Sequence, residues 1–152
     1  MSGGKPTIGT IFPEAFKAQA GLTQAIWRKG EEAGVGRDLI ELVYLRCSQL
    51  NGCAFCLDVH HREGLKAGLT ELKASVVPAW REAHGIFDEE EQAALAIAEI
   101  VSDPARVPFT EEEYLEAVDV LGEERAAVLA WAGICMNGWN RMHAVSGTPV
   151  GG

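Results

Sequence analysis

The sequence predicts an all-α fold, a single-domain helical bundle of about six helices, on three observations. Apolar residues recur at three- and four-residue spacing along most of the chain. Helix openings are marked by capping residues, with Asp88 three residues ahead of Glu91 and Thr110 three ahead of Glu113. No stretch alternates with period two between turn signals, and no Asn-Gly pair is flanked by β-branched runs.

The elements follow in order. Residues 14–33 carry Phe16, Ala20, Ile26 and Trp27 at helical spacing and stop near Gly34 and Gly36. Asp38 is expected to cap the next helix, whose apolar face holds Leu39, Leu42 and Val43 and continues to Arg46. Asn51-Gly52 breaks that helix, and the following one starts around Cys53 and stops at Gly68. A short helix opens at Thr70-Glu71-Leu72-Lys73 and is expected to reach about Glu82. The Asp88–Glu91 box opens a helix to about Ser102, and Pro104 and Pro108 mark the connection after it. The Thr110–Glu113 box opens a helix that ends at Leu121-Gly122. A long last helix runs from Glu123 to about His143, before a tail containing Gly and Pro. The acids at 88–91 and 111–113 are read as helix caps and dipole partners rather than a cation site.

A chain of 152 residues fits one domain, expected over 1–152, and can bury a core without staples. The net charge of −9 argues against nucleic-acid binding and against anionic membranes. The N-terminus lacks the apolar run of a signal peptide, and no stretch approaches the roughly 18–20 apolar residues of a membrane span. A cytoplasmic location is therefore expected. In a reducing compartment four cysteines do not suggest a disulfide scaffold, so a close pair reads as catalytic or metal-binding.

That pair is Cys53 and Cys56, with His60 four residues beyond, all on one stripe of the same helix. Unpaired N–H groups at the helix start favour a thiolate, and His60 can take the Cys56 proton or hold its charge. The same three side chains are also three of the four ligands a zinc ion would need, although no second CxxC or HxxxH follows. Upstream, Glu41, Tyr44, Leu45 and Ser48 share a helix face. The tight turn at Asn51-Gly52 folds that face back, so that Glu41 meets the third turn of the next helix, near His60. A carboxylate bonded to an imidazole fixes its tautomer and raises its basicity.

The run Glu41-x6-Ser48-x2-Asn51-x-Cys53-x2-Cys56-x3-His60 resembles the core motif of the AhpD-like alkylhydroperoxidases, within the carboxymuconolactone decarboxylase superfamily. Pro13 and Phe16 near the start, and Asn137-Gly138-Trp139-Asn140-Arg141 near the end, fit the resemblance, which places the domain core at about 10–148. It implies an antioxidant peroxidase or thiol–disulfide oxidoreductase without a cofactor or metal. Cys56 would be attacked by a hydroperoxide, Cys53 would resolve the sulfenic acid to a disulfide, and Glu41 and His60 would relay protons. Ser48, Asn51 and Phe55 are candidate supporting residues. An external dithiol, lipoyl or thioredoxin-like, would reduce the disulfide, and a homo-oligomer, trimer or hexamer, is implied. Where this chain has Phe55, the best-known peroxidases of the family carry a His. The alternatives are a carboxymuconolactone decarboxylase-type lyase, whose chemistry does not depend on a CxxC pair, and a zinc-binding module using Cys53, Cys56 and His60.

The remaining candidates have simpler readings. Cys47 and Cys135 lie within apolar patterns and are expected to be buried small hydrophobes. His61 is read as surface, His84 as part of a connection and His143 as a basic partner of a helix C-terminus. Asn137, Asn140 and Arg141 are read as hydrogen-bonded ties between helices, and the four tryptophans as core or interface packing.

Overall fold

Helix α3, Arg37–Asn51, is the axis of the molecule. Its residues from Leu39 through Ser48 are all buried, so no side of it faces water. The computed structural model describes residues 7–103 and 111–151. Around α3 pack α4 (Ala54–Ala67), α6 (Glu89–Ser102) and α8 (Glu123–Ser146). Outside these, α2 (Pro13–Ala33) lies on α8, and α7 (Glu111–Leu121) closes over α6 and α8. Two short helices complete the set, α1 (Ile8–Ile11) and α5 (Glu71–Val76), the latter running into a 3₁₀ turn at Val77–Ala79. The described residues thus form eight α-helices and no strand, somewhat more helices than the roughly six expected.

The surplus has local causes. Thr7 caps α1 by accepting the Thr10 N–H, a signal too short to stand out in the sequence. The helix expected to reach about Glu82 stops at Val76, because Pro78 cannot donate the backbone bond a continuing α-helix needs. Asp38 does not cap α3. Gly36 is the cap, and Asp38 lies in the first turn with its carboxylate folded so close that a β-carbon on Gly36 would strike it. At the Asp88–Glu91 box both reciprocal bonds form, at 2.8 and 2.9 Å. The expected box at Thr110, with Pro104 and Pro108, lies outside the described residues. The last helix continues three residues beyond His143 to Ser146.

The core joins Ile40, Leu42, Val43 and Tyr44 of α3 to Leu95 and Ile97 of α6 and Leu129 of α8. Each large apolar side chain buried here contributes about 1.5–3 kcal/mol. One buried ion pair braces this core. Arg46 of α3 gives Nε and Nη2 to Glu99 Oε1, at 3.1 and 2.9 Å. Trp80 Nε1 reaches the same oxygen at 2.9 Å, and Arg81 Nη1 reaches Oε2 at 2.5 Å. Burial works against the Glu99 charge, but the Trp80, Arg81 and Arg46 hydrogen bonds outweigh it and hold the carboxyl below its ordinary value. No helix among the described residues is long and apolar enough to cross a membrane.

Candidate functional site

The site is built where α3 turns into α4. Gly52 takes a left-handed conformation, φ 64°, that side chains with a β-carbon resist. Its N–H returns to the Gln49 carbonyl and that of Cys53 to the Ser48 carbonyl, so the chain reverses within two residues. Cys53 is then the N-cap of α4, and its Sγ accepts the Cys56 N–H at 3.3 Å. The two sulfurs stand at bonding distance as a Cys53–Cys56 disulfide, with the α-carbons 5.3 Å apart. Both residues are buried, at 3% and 2% exposure.

One turn along α4, His60 Nδ1 lies 2.8 Å from Glu41 Oε2. Glu41 is completely buried on α3, and its other oxygen accepts Arg37 Nε–H at 3.1 Å. Gly64 of α4 faces Glu41 across the helix pair, and a β-carbon there would press on the Leu69 side chain at 2.9 Å while meeting Glu41 Cβ at an ordinary 3.8 Å. Tyr44 packs its ring 4.9 Å from that of His60. Burial pushes the Tyr44 phenol well above its ordinary range, so it stays neutral and accepts Trp27 Nε1–H at 3.1 Å.

Ser48 and Asn51 anchor the turn. Ser48 Oγ donates to the Tyr44 carbonyl at 2.7 Å and accepts from Asn140 Nδ2 at 3.0 Å. Asn51 Nδ2 donates to Asn137 Oδ1 and Asn140 Oδ1, at 2.7 and 3.0 Å. Asn137 in turn donates to Ser102 Oγ, so a polar seam fastens the end of α3 to α8 and α6. Asn137 and Asn140 therefore do act as ties, while Arg141 is exposed.

Phe55, between the two cysteines, places its ring 4.3 Å from the His143 ring, and Trp139 and Phe16 extend this aromatic row toward α2. His143 Nδ1 also lies 2.9 Å from Thr148 Oγ1. Burial, and then the nearby His60 charge, pull His143 below its ordinary value. The position-based reading of His143 as a helix-end base missed this neighbourhood, because no spacing rule links residue 143 to residue 55.

A profile of the carboxymuconolactone decarboxylase family matches residues 13–99, more than half of the chain. The chain belongs to the carboxymuconolactone decarboxylase family. An uncharacterized Bacillus subtilis (strain 168) protein, YdfG, is similar at 30% identity over 149 residues, 90% of each chain. The fold is AhpD-like. A crystal structure from Agrobacterium tumefaciens, of a protein of unknown function suggested to be an antioxidant defence protein AhpD, matches with TM-score 0.82 and 28% identity. That likeness covers 93% of this chain and 94% of the other.

In this member of the carboxymuconolactone decarboxylase family, Arg37, Glu41, Cys53, Cys56 and His60 lie inside the family-matched stretch, while Asn137, Asn140 and His143 lie beyond it. Arg37 and Trp27 were not singled out for the site from sequence; the one available signal was an arginine four residues before Glu41. The other two cysteines are set apart. Cys47 sits in the core, accepting from Ser102 Oγ at 3.2 Å, and burial pushes its thiol up to about 12. Burial also raises Cys135, against its hydrogen bond with Thr23. His61 lies 3.5 Å from Glu71, and His84 is exposed. Among the described residues no group of three or more His, Cys, Asp or Glu is arranged to hold a metal ion.

Proposed function

We propose that this family member is a dithiol peroxidase, a thiol–disulfide oxidoreductase that consumes hydroperoxides through Cys53 and Cys56. The observation that carries the reading is the pairing of these two cysteines in the first turn of α4 with a buried Glu41–His60 pair one turn further along. In the reduced protein His60 takes the Cys56 proton. The Cys56 thiolate attacks a peroxide oxygen, the S–O bond forms as O–O breaks, and the alcohol leaves with the proton returned through His60. The Cys53 thiol then displaces water from the Cys56 sulfenic acid, forming the S–S bond. Two electrons and two protons from an external dithiol, lipoyl or thioredoxin-like, restore both thiols.

Glu41 orients the His60 ring through its bond to Nδ1, and Ser48 and Asn51 hold the turn that carries Cys53. Phe55 leaves the second relay position of the best-known peroxidases without an imidazole. A cytoplasmic setting suits a dithiol that must be reduced in each cycle. A homo-oligomer of the trimer or hexamer kind is proposed too, with Trp131 and Ile134 exposed on α8 as the apolar surface available for it.

Titration of thiols in the reduced protein, before and after a hydroperoxide, is the direct test. The expected result is loss of two thiols per chain, a Cys53–Cys56 disulfide by mass spectrometry, and no peroxide consumption by C56S. Retained consumption by C56S would remove Cys56 as the attacking thiol, and absence of the disulfide would end the redox reading. Lactone decarboxylation by a C53S/C56S double variant would move the chain to the lyase alternative.

A further inference from the structure

Arg37 would ordinarily be dismissed. It stands at the first position of α3 with 41% of its side chain exposed, and its bond to Glu41 spans the i,i+4 interval. Exposed pairs of that kind add little to a helix. Glu41, however, is 1% exposed, so its charge has no water to meet it. Two donors face it, one on each oxygen: Arg37 Nε at 3.1 Å and His60 Nδ1 at 2.8 Å. Arg37 carries a proton on Nε in every state, whereas His60 can either give or accept at Nδ1.

The guanidinium is also held from its other side. Arg37 Cζ lies 3.8 Å over the Trp27 ring of α2. Trp27 is fixed by its Nε1–H bond to the Tyr44 hydroxyl, and the Tyr44 ring packs against His60. Arg37, Glu41, His60, Tyr44 and Trp27 thus close a ring of contacts drawn from α2, α3 and α4. Such a closed ring fixes how each group is oriented toward the next.

We propose that Arg37 is a positioning residue that keeps Glu41 a pure acceptor, so that His60 carries its proton on Nδ1 and turns an unprotonated Nε2 toward the dithiol. Without the guanidinium, a buried Glu41 keeps its own proton and gives it to His60 Nδ1 as a hydrogen bond. The ring proton then moves to Nε2, and that nitrogen can no longer take a proton from Cys56. No bond to sulfur changes in this step; Glu41 takes up one proton from solvent, and the ring proton moves from Nδ1 to Nε2. The use of Nε2 by Cys56 rests on the function proposed above, while the tautomer assignment does not.

The test is ¹⁵N–¹H NMR of histidine-labelled, reduced protein at a pH where the His60 ring is neutral. The wild type should show the Nδ1–H tautomer, R37Q the Nε2–H tautomer, and R37K, which restores a cation, the wild-type pattern. W27L, which frees the guanidinium without removing its charge, should give a mixture of the two. Hydroperoxide consumption by R37Q should fall about 100-fold in kcat, the effect of losing a positioned base, with KM little changed. An Nδ1–H tautomer retained in R37Q, or an Nε2–H tautomer in the wild type, overturns the proposal. If the tautomer shifts as expected but no variant consumes peroxide, the role of Arg37 stands and the peroxidase reading falls.

Discussion

Glu41 on α3 and Glu99 on α6 are two buried carboxylates, and they show that burial of an acid does not by itself mark a working site. Glu99, 8% exposed, is surrounded by Arg46, Arg81 and Trp80, donors that keep their protons at any ordinary pH. Glu41, 0% exposed, has one permanent donor in Arg37 and one partner, His60, whose proton can move. The first arrangement can only brace the bundle. The second can exchange a proton with its neighbour.

Four measurements press on that contrast. The largest effect is expected at Glu99. E99Q leaves the buried Arg46 charge without its partner and should lower unfolding free energy by about 3–5 kcal/mol in urea titration, with turnover per folded molecule unchanged. E41Q should do the reverse, leaving the urea midpoint near wild type while peroxide consumption drops at least about 100-fold, or roughly 2.7 kcal/mol. If E41Q proves the worse folder and E99Q the worse catalyst, the assignment of roles is inverted.

The third is acid stability. The folded Glu99 carboxyl lies below its ordinary value of 4.5, so its stabilisation is complete above that pH and fades as pH falls through the lowered folded value. The fall in stability with acid over that window should be shallower in E99Q, as followed by circular dichroism. The smallest effect concerns sulfur. Cys47, with a thiol pushed up to about 12, should resist alkylation in the reduced native protein, while Cys53 and Cys56 label at pH 8. C47A should cost only about 1 kcal/mol in the same urea assay, the scale of removing a small buried group.

Much of this was legible in the chain itself, for reasons that are local. Asp88 and Glu91 announce a helix opening because both bonds of the box lie within four residues. The juxtaposition of Glu41 and His60 could be expected because a two-residue reversal at Asn51-Gly52 fixes the register of the two helices around it. What stayed hidden depends on contacts far apart in sequence. Trp27 reaches Arg37 only once α2 is packed, and His143 meets Phe55 only because α8 crosses the start of α4. Asp38 misled for a different reason: Gly36, lacking a side chain, took the cap while Asp38 folded back over it.

The disulfide between Cys53 and Cys56 spans three residues, and that shortness has a consequence for how the molecule is made. A crosslink this local removes far less freedom from the unfolded chain than one joining distant segments. The core around α3 forms from residues that the bond does not touch. Newly synthesised chains are therefore expected to reach their shape with both thiols free. Oxidation then becomes a reversible event on a finished scaffold, felt in the first turn of α4 and hardly elsewhere.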